Sequence, residues 1–193
     1  AAEDARGNTD KALDLYREAV RLDSGTTLAF LERGIVLVTH KRAYERAIED
    51  FDKVLVLEPD NVLALIRRGQ AFSQLGQTAR GLVDLDRAIA LSPNSSETYF
   101  YRGLIHGRRN ETEAALSDYD AALERSPRNV DALAGRAAIY SHEGKFDLAI
   151  GDLNAAIAID SRNPIAFYNR GYAHFAKAEY QKAIADYTEF IRL

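Results

Sequence analysis

Arginine and aspartate, which could form charged sites, recur at regular intervals along this sequence. One recurring position always holds arginine and another always holds aspartate. The arginines are Arg33, Arg68, Arg102, Arg136 and Arg170, and the aspartates are Asp50, Asp84, Asp118, Asp152 and Asp186. A row of arginines could bind acidic ligands. Because a matching row of acids exists, we expect instead a ladder of structural ion pairs within or between repeats, a role that suits the planar guanidinium fork.

The remaining polar residues lack the spacing of a catalytic or metal centre. The chain has no cysteine, and none of its 4 histidines are separated by four residues. His106 and His174 share a repeat position with Phe72 and Tyr140, so we interpret both as packing residues. No nucleophile elbow, phosphate-binding loop or dinucleotide fingerprint occurs. We therefore expect no catalytic residue, no metal site and no cofactor, and predict that the chain is not an enzyme.

The composition restricts the class of partner. The chain has 193 residues, of which 47% are apolar, and 25 basic residues oppose 29 acidic ones for a net charge of −4. A protein that follows phosphates is normally basic, so we expect no nucleic-acid partner. The apolar runs are much shorter than the roughly 20 residues that cross a bilayer, and membrane insertion is not expected. No secretory signal is visible, which leaves a cytoplasmic location as the default expectation.

Small residues recur in register with the charges. The residue after each arginine is Gly34, Gly69, Gly103, Ala137 or Gly171, at intervals of 35, 34, 34 and 34 residues. A second small column follows at Ala47, Gly81, Ala115, Ala149 and Ala183, then a large apolar one at Phe51, Leu85, Tyr119, Leu153 and Tyr187. A further column holds Val54, Ala88, Ala122, Ala156 and Phe190, and Pro59, Pro93 and Pro127 close three units. Periods of this length are typical of stacked repeats.

This pattern resembles the tetratricopeptide repeat (TPR) family through essentially the whole chain. The resemblance implies an all-α fold, a right-handed superhelical α-solenoid in which each repeat is an antiparallel pair of helices, A and B. The single 35-residue step implies one extra residue in the turn around Thr39–Ala43. Pro164, behind Asn163, is expected in the first turn of the next helix, where its missing N–H costs little.

The repeat boundaries follow from the columns. We expect a single TPR array over residues 1–193: a partial repeat over 1–26, then repeats over 27–61, 62–95, 96–129, 130–163 and 164–193. Ala12 lies in a helix B column, so residues 1–6 are interpreted as the tail of a missing helix A. These features suggest a fragment of a longer protein.

The resemblance also indicates a candidate binding surface, because in the family one face of each helix A lines a concave groove. The groove residues inferred here are Leu31, Ile35, Ile66, Gln70, Phe100, Tyr101, Leu104, Arg108, His142, Tyr168 and Tyr172. This surface is apolar, which favours a protein or peptide partner that supplies an apolar or amphipathic segment. Burial of the same residues between repeats explains the pattern about equally well.

Two further hypotheses concern the kind of partner. Family members that hold a free carboxylate need lysine in the column occupied here by Leu31, Ile66 and Phe100, so we do not expect that ligand. The main hypothesis is a non-catalytic protein–protein interaction scaffold within a larger protein or complex. The alternative is a self-assembly module, in which open apolar ends of the array, above all the C-terminal helix with Tyr187 and Phe190, form a homo-oligomer.

Overall fold

The described part of the chain is entirely helical. The computed structural model describes residues 2–23 and 25–193, and within them it contains eleven α-helices, one π-helical turn and no β-strand. The helices are α1 (Ala2–Leu22), α2 (Thr27–Val36), α3 (Tyr44–Leu57), α4 (Val62–Gln74), α5 (Thr78–Leu91), α6 (Ser96–Arg108), α7 (Thr112–Arg125), α8 (Val130–His142), α9 (Phe146–Ile159), α10 (Pro164–Ala176) and α11 (Tyr180–Arg192). The all-α class expected from the repeat is confirmed.

The helices form two compact units, Ala1–Pro93 and Asn94–Leu193. In the first unit α2 pairs with α3 and α4 with α5, and α1 packs on α2 and α3 on α4. In the second unit the pairs are α6 with α7, α8 with α9 and α10 with α11. There α7 packs on α8, and α9 packs on α10. The even-numbered helices are therefore the A helices of their repeats, and the odd-numbered ones are the B helices.

Side-chain caps begin most of the A helices. The Oδ1 atoms of Asn61, Asn129 and Asn163 each accept a hydrogen bond of 3.0 Å from the backbone N–H three residues later. These bonds satisfy one of the orphan donors that every helix N-terminus leaves. Pro164 is in the first turn of α10, directly after its cap, as expected from the sequence.

A residue with a left-handed backbone conformation (positive φ) lies between helix A and helix B in all five pairs. These residues are Arg42, Gly76, Asn110, Gly144 and Ala178, with φ values of 50°, 73°, 58°, 73° and 60°. They are uniformly 34 residues apart, so the extra residue of the first repeat lies before Arg42. The π-helical turn Leu37–Lys41 absorbs it at the end of α2 rather than in the connecting loop. A π turn closes over one more residue than an α turn, which is why the hairpin keeps its geometry.

Glycine allows helix A and helix B of a repeat to approach closely. A Cβ atom on Gly34 would lie 2.6 Å from the Phe51 ring, and one on Gly171 would lie 2.9 Å from the Tyr187 ring. Ala137, the exception in this column, shares its core cluster with the aliphatic Leu153 instead of a ring. An aromatic ring on helix B therefore requires glycine on helix A, whereas leucine on helix B occurs with glycine in the second repeat and with alanine in the fourth.

Helix α1 differs from the expectation for its first residues. Residues 2–6 are not a remnant of a separate helix A, because α1 continues without a break from Ala2 to Leu22. No proline interrupts this segment, and Gly7 disfavours the helix without ending it. Ala1 lies outside the described residues.

Candidate functional site

The expected groove residues of the first unit lie mostly inside it. Leu31 and Ile66 are only 9% and 3% exposed, and Ile35 and Gln70 are half-buried. Leu31 belongs to the hydrophobic cluster formed by α1, α2, α3 and α4. In this unit the burial interpretation accounts for Leu31, which the neighbouring helices cover, and for Ile66, which is also buried.

The expected groove residues of α6 and α8 are intermediate. Phe100, Tyr101 and Leu104 are half-buried, and the Phe100 ring lies 5.0 Å from that of Tyr101. Arg108 and His142 are exposed at the C-terminal ends of their helices. Helix α6 therefore presents partly covered rings along its length and a polar group at its C-terminal end, whereas α8 contributes only the exposed His142.

Helix α10 has an apolar face that remains open to solvent. Ile165, Tyr168, Tyr172 and Phe175 are 61%, 49%, 48% and 57% exposed. They follow one another at intervals of three or four residues, so they share one side of the helix. We call this set the α10 apolar face. Aromatic rings that remain exposed at such spacing are typical of interaction surfaces.

A shallow cavity of about 310 Å³ adjoins the α10 apolar face. Its lining residues come from α8 and α10 and are Ala138, Ser141, His142, Tyr168, Asn169 and Tyr172. The Ser141 hydroxyl oxygen is buried and has no hydrogen-bond partner within the protein. The cavity therefore combines two tyrosine rings with an amide and an imidazole that could orient a ligand.

Rings from α11 support the α10 apolar face from one side. The Tyr168 ring lies 5.9 Å from that of Tyr187 and 5.3 Å from that of Phe190, both tilted. Phe175 lies 5.8 Å from Tyr180 in a similar tilted arrangement. Tilted aromatic rings attract one another in addition to the gain from burying their apolar area, so these contacts hold Tyr168 and Phe175 in place.

The arginine and aspartate columns meet in every repeat. The pairs are Arg33–Asp50, Arg68–Asp84, Arg102–Asp118, Arg136–Asp152 and Arg170–Asp186. In each, Nε donates to Oδ2 at 2.8–2.9 Å and Nη2 donates to Oδ1 at 2.6–2.7 Å. The aspartates are buried and the arginines partly buried. Helix A and helix B are thus joined by a bidentate bond beside each close contact.

Several of these arginines also reach the preceding repeat. Arg68 Nη1 donates to Asp52 at 2.6 Å, Arg136 Nη1 donates to Asp120 at 2.6 Å, and Arg170 Nη1 donates to Asn154 at 2.7 Å. Each acceptor lies two residues after the ion-paired aspartate of the preceding helix B. The sequence analysis did not identify this column. The recurrence of aspartate at this spacing is a signal that could have identified it. The donors of these arginines therefore serve the fold rather than an acidic ligand.

An aromatic ring accompanies each arginine, but from alternating positions. In repeats one, three and five the ring lies three residues before the arginine, and in repeats two and four it lies four residues after it. The rings are Phe30, Phe72, Tyr99, Tyr140 and Phe167, at 5.5–5.9 Å from the guanidinium carbon. Both spacings place the ring on the same side of the helix as the arginine, so either position can serve.

His106 and His174 pack in the interior but also form polar contacts. His106 Nδ1 lies 2.5 Å from Glu111, and His174 Nδ1 lies 2.7 Å from Glu179. Lys182, His174 and Lys177 surround the Glu179 carboxylate and lower its pKa to about 2. Each imidazole therefore ties the end of its helix A to the start of its helix B, in addition to filling space.

The pKa values of the partly buried Arg33 and the buried Tyr119 are shifted by their surroundings. Hydrogen bonding to Asp50 raises the pKa of Arg33, an effect that desolvation partly offsets. Burial raises the pKa of Tyr119 to about 12. The Tyr119 ring lies between Gly103 and Gly135, where added Cβ atoms would approach it to 3.1 and 2.6 Å. Its ionised form would lose hydration at this site, which explains the direction of the shift.

The described residues contain neither a metal-binding cluster nor a membrane-spanning helix. Within residues 2–23 and 25–193, no group of three or more histidine and acidic side chains is arranged to hold a metal ion. Among the helices of the same residues, none is both long and apolar enough to span a bilayer.

Sequence models of one family match most of the chain. Matches described as tetratricopeptide repeat cover residues 2–62, 31–96, 66–129 and 165–193, and a match described as TPR repeat covers 137–178. The chain belongs to the tetratricopeptide repeat family. A comparison with curated proteins finds no match. Family membership supports a protein-interaction scaffold as the general class of function.

Solved structures share the fold at low sequence identity. The crystal structure of MamA protein is 24% identical, with 88% of this chain and 92% of that chain covered and a TM-score of 0.68. YrrB, described as a TPR protein with an unusual peptide-binding site, is 19% identical over 92% of this chain and 91% of that one, with a TM-score of 0.62. A chain of the APC/C hetero-tetramer Cut9–Hcn1 is 16% identical over 96% of this chain and 37% of that one, with a TM-score of 0.86. At these identities the likeness establishes the fold.

Proposed function

We propose that this chain is a non-catalytic scaffold that binds an apolar or amphipathic segment of a partner protein. The observation that carries the proposal is the α10 apolar face, whose four large side chains remain about half exposed or more. A contiguous exposed apolar surface of this kind is uncommon on a protein surface that contacts only water. The described peptide-binding site of YrrB, a protein of the same fold, adds support for a peptide ligand.

The binding surface proposed here is narrower than the groove expected from the sequence. It comprises the α10 apolar face and the adjoining cavity, and it leaves out Leu31 and Ile66 because both are buried. Tyr168 and Tyr172 are the proposed anchors, since tyrosine combines a large apolar ring with a polar end. Asn169 and His142 would supply the polar contacts that fix the orientation of a bound segment.

The test is selection from a library of displayed peptides, followed by affinity measurement. We expect enriched peptides to carry large apolar residues at helical or alternating spacing. Their affinity should fall at least about tenfold in Tyr172→Asp, because hot-spot residues contribute on the order of 2 kcal/mol or more. The matched control is Leu148→Asp, which alters an equally exposed apolar residue on α9 and should leave the affinity unchanged.

Two outcomes would reject this site. Either enriched peptides bind Tyr172→Asp as tightly as the unaltered chain, or no peptide is enriched over the background of a selection without the protein. A single-stranded oligonucleotide serves as a separate probe at low salt, where phosphate binding is strongest. The net charge of −4 and the apolar site lead us to propose no nucleic-acid binding.

A further inference from the structure

Successive repeats meet through small side chains at one position of helix B. The residues at this position are Val54, Ala88, Ala122, Ala156 and Phe190, and we call it the inter-repeat position. Val54 shares a core cluster with Ala64 of the next helix A, Ala122 with Ala132, and Ala156 with Ala166. All six of these side chains are fully buried. Small groups on both helices permit a close axis-to-axis approach.

Helix α11 breaks this rule. Phe190 occupies the inter-repeat position there and is 40% exposed. Its ring lies 5.3 Å from that of Tyr168 on α10, at an interplanar angle of 55°. The ring therefore bridges the two helices of its own repeat, across the face on which a following helix A would pack.

Only the residue at the inter-repeat position distinguishes the fifth repeat. The counterparts of Tyr168 and Phe190 are Ala134 and Ala156 in the fourth repeat, and Phe100 and Ala122 in the third. The next helix A packs in both cases, so a ring at the Tyr168 position is compatible with docking when the inter-repeat residue is small. In the fifth repeat the inter-repeat residue is itself an aromatic ring. An added helix in the same register would meet a ring where the other interfaces accommodate a methyl or isopropyl group, and such overpacking is strongly unfavourable.

We propose that Phe190 fills, from within the molecule, the place that a further repeat would occupy on α11. Helix α11 consequently does not accept another TPR helix in the register that joins α3 to α4, α7 to α8 and α9 to α10. The same obstruction applies to a second copy of this chain stacked in that register. A partner that covers Ile184 and Ile191 of α11 must therefore approach in a different geometry.

The first experiment extends the chain after Leu193 with a second copy of residues 160–193. This junction preserves the 34-residue repeat, because Asp160 follows Ile159 in the chain as the added aspartate follows Leu193. The copy carries Ala176→Ser, at an exposed position of α10, so that its peptides have distinct masses. Amide hydrogen exchange of the copied α10 is then compared between chains with Phe190 kept and with Phe190→Ala in the first copy.

We expect the copied α10 to exchange at least about tenfold more slowly in the Phe190→Ala chain, since protection reports docking. With Phe190 kept, the added helices should remain unprotected, because short helices are marginal on their own. Ala185→Ser, an exposed change on the same helix at a position that is exposed in every repeat, is the matched control and should behave like the chain that keeps Phe190. Equal protection in all chains, or no protection in any of them, would overturn the proposal.

A reciprocal variant tests the same rule without any extension. Ala156→Phe places a ring at the inter-repeat position of α9, where α10 now packs. We expect exchange in α10 and α11 to accelerate at least about tenfold, while α6 and α7 keep their protection. Unchanged protection of α10 would show that a ring at this position does not exclude the next helix. Docking requires no ligand, so both results are independent of the peptide-binding proposal.

Discussion

The Arg33–Asp50 pair shows what a single charged position contributes to this fold. Asp50 is 4% exposed, and both of its carboxylate oxygens accept hydrogen bonds from Arg33. A buried pair of this kind contributes little net stability compared with apolar residues of equal size, but loss of one partner leaves an uncompensated charge. The arginine ladder is therefore expected to define which helix surfaces pair rather than to add large stability.

A double-mutant cycle tests this account of the pair. We expect Arg33→Leu to destabilise the chain by about 3 kcal/mol, because it leaves Asp50 buried without its partner. Arg33→Leu combined with Asp50→Leu should cost less than the sum of the two single changes. Urea unfolding measures all three free energies of unfolding. Arg17→Leu, in an exposed pair with Asp14, is the control and should change stability by less than about 0.5 kcal/mol. Additive losses would show that the pair is not coupled.

Tyr119 gives a prediction in the alkaline range. Its pKa is raised to about 12 by burial, above the ordinary value of 10. The unfolded chain therefore releases this proton at lower pH than the folded chain does. The stability contribution is complete below pH 10 and is lost as the pH rises toward 12. Spectrophotometric titration should show one tyrosine that ionises near pH 12 and is missing in Tyr119→Phe. Its ionisation together with exposed tyrosines would contradict the burial argument.

The turns between helices show how one element connects to the next. Gly76 and Gly144 supply the positive φ at little steric cost, but Ala178 adopts φ 60° with a Cβ atom. In that conformation a residue with a side chain is strained by roughly 1 kcal/mol, which a glycine avoids. The alignment of these residues at 34-residue spacing indicates that the turn geometry is common to all five repeats.

We expect Ala178→Gly to raise the free energy of unfolding by about 0.5–1 kcal/mol, because relief of strain exceeds the added entropy of the unfolded chain. Gly144→Ala, the reverse change at φ 73°, should lower it by about 1 kcal/mol. Both are measured by urea unfolding at neutral pH. A loss of stability in Ala178→Gly would show that this turn is not strained.

At the scale of the whole molecule, the arginines that also contact the preceding helix B connect one repeat to the next. Arg68 and Arg136 find aspartate acceptors there, but Arg170 finds the neutral Asn154. The charge-assisted bond is the stronger of the two types. The Arg170–Asn154 hydrogen bond, which joins the fourth and fifth repeats, is therefore weaker than the corresponding bonds of Arg68 and Arg136.

Asn154→Asp should strengthen that contact. Because the acceptor is about half exposed or more in the sister repeats, we expect a gain of only about 0.5 kcal/mol in the free energy of unfolding. The gain should shrink in high salt, which screens exposed pairs. Asp120→Asn is the reciprocal control and should lose a similar amount. A gain that persists unchanged at high salt would point to a cause other than the added charge.

Much of this architecture follows from the sequence because each repeat is a short-range unit. The glycine column, the arginine and aspartate columns and the cap at Asn163 act within about 35 residues, so their spacing reveals helix pairs and turns directly. The π turn at Leu37–Lys41 is a local adjustment of the same kind. The 35-residue interval in the sequence reveals the extra residue, but it does not show whether the helix or the loop contains it.

Exposure was decided only by the tertiary structure. Leu31, Ile66 and Tyr168 share one repeat position, and Val54 and Phe190 share another. Leu31, Ile66 and Val54 are nevertheless buried, whereas Tyr168 and Phe190 are substantially exposed. Periodicity identifies which residues share a face, because it depends on the helix itself. Whether that face meets a neighbour or solvent depends on which helices pack beside it, and on whether a side chain such as Phe190 occupies the space first.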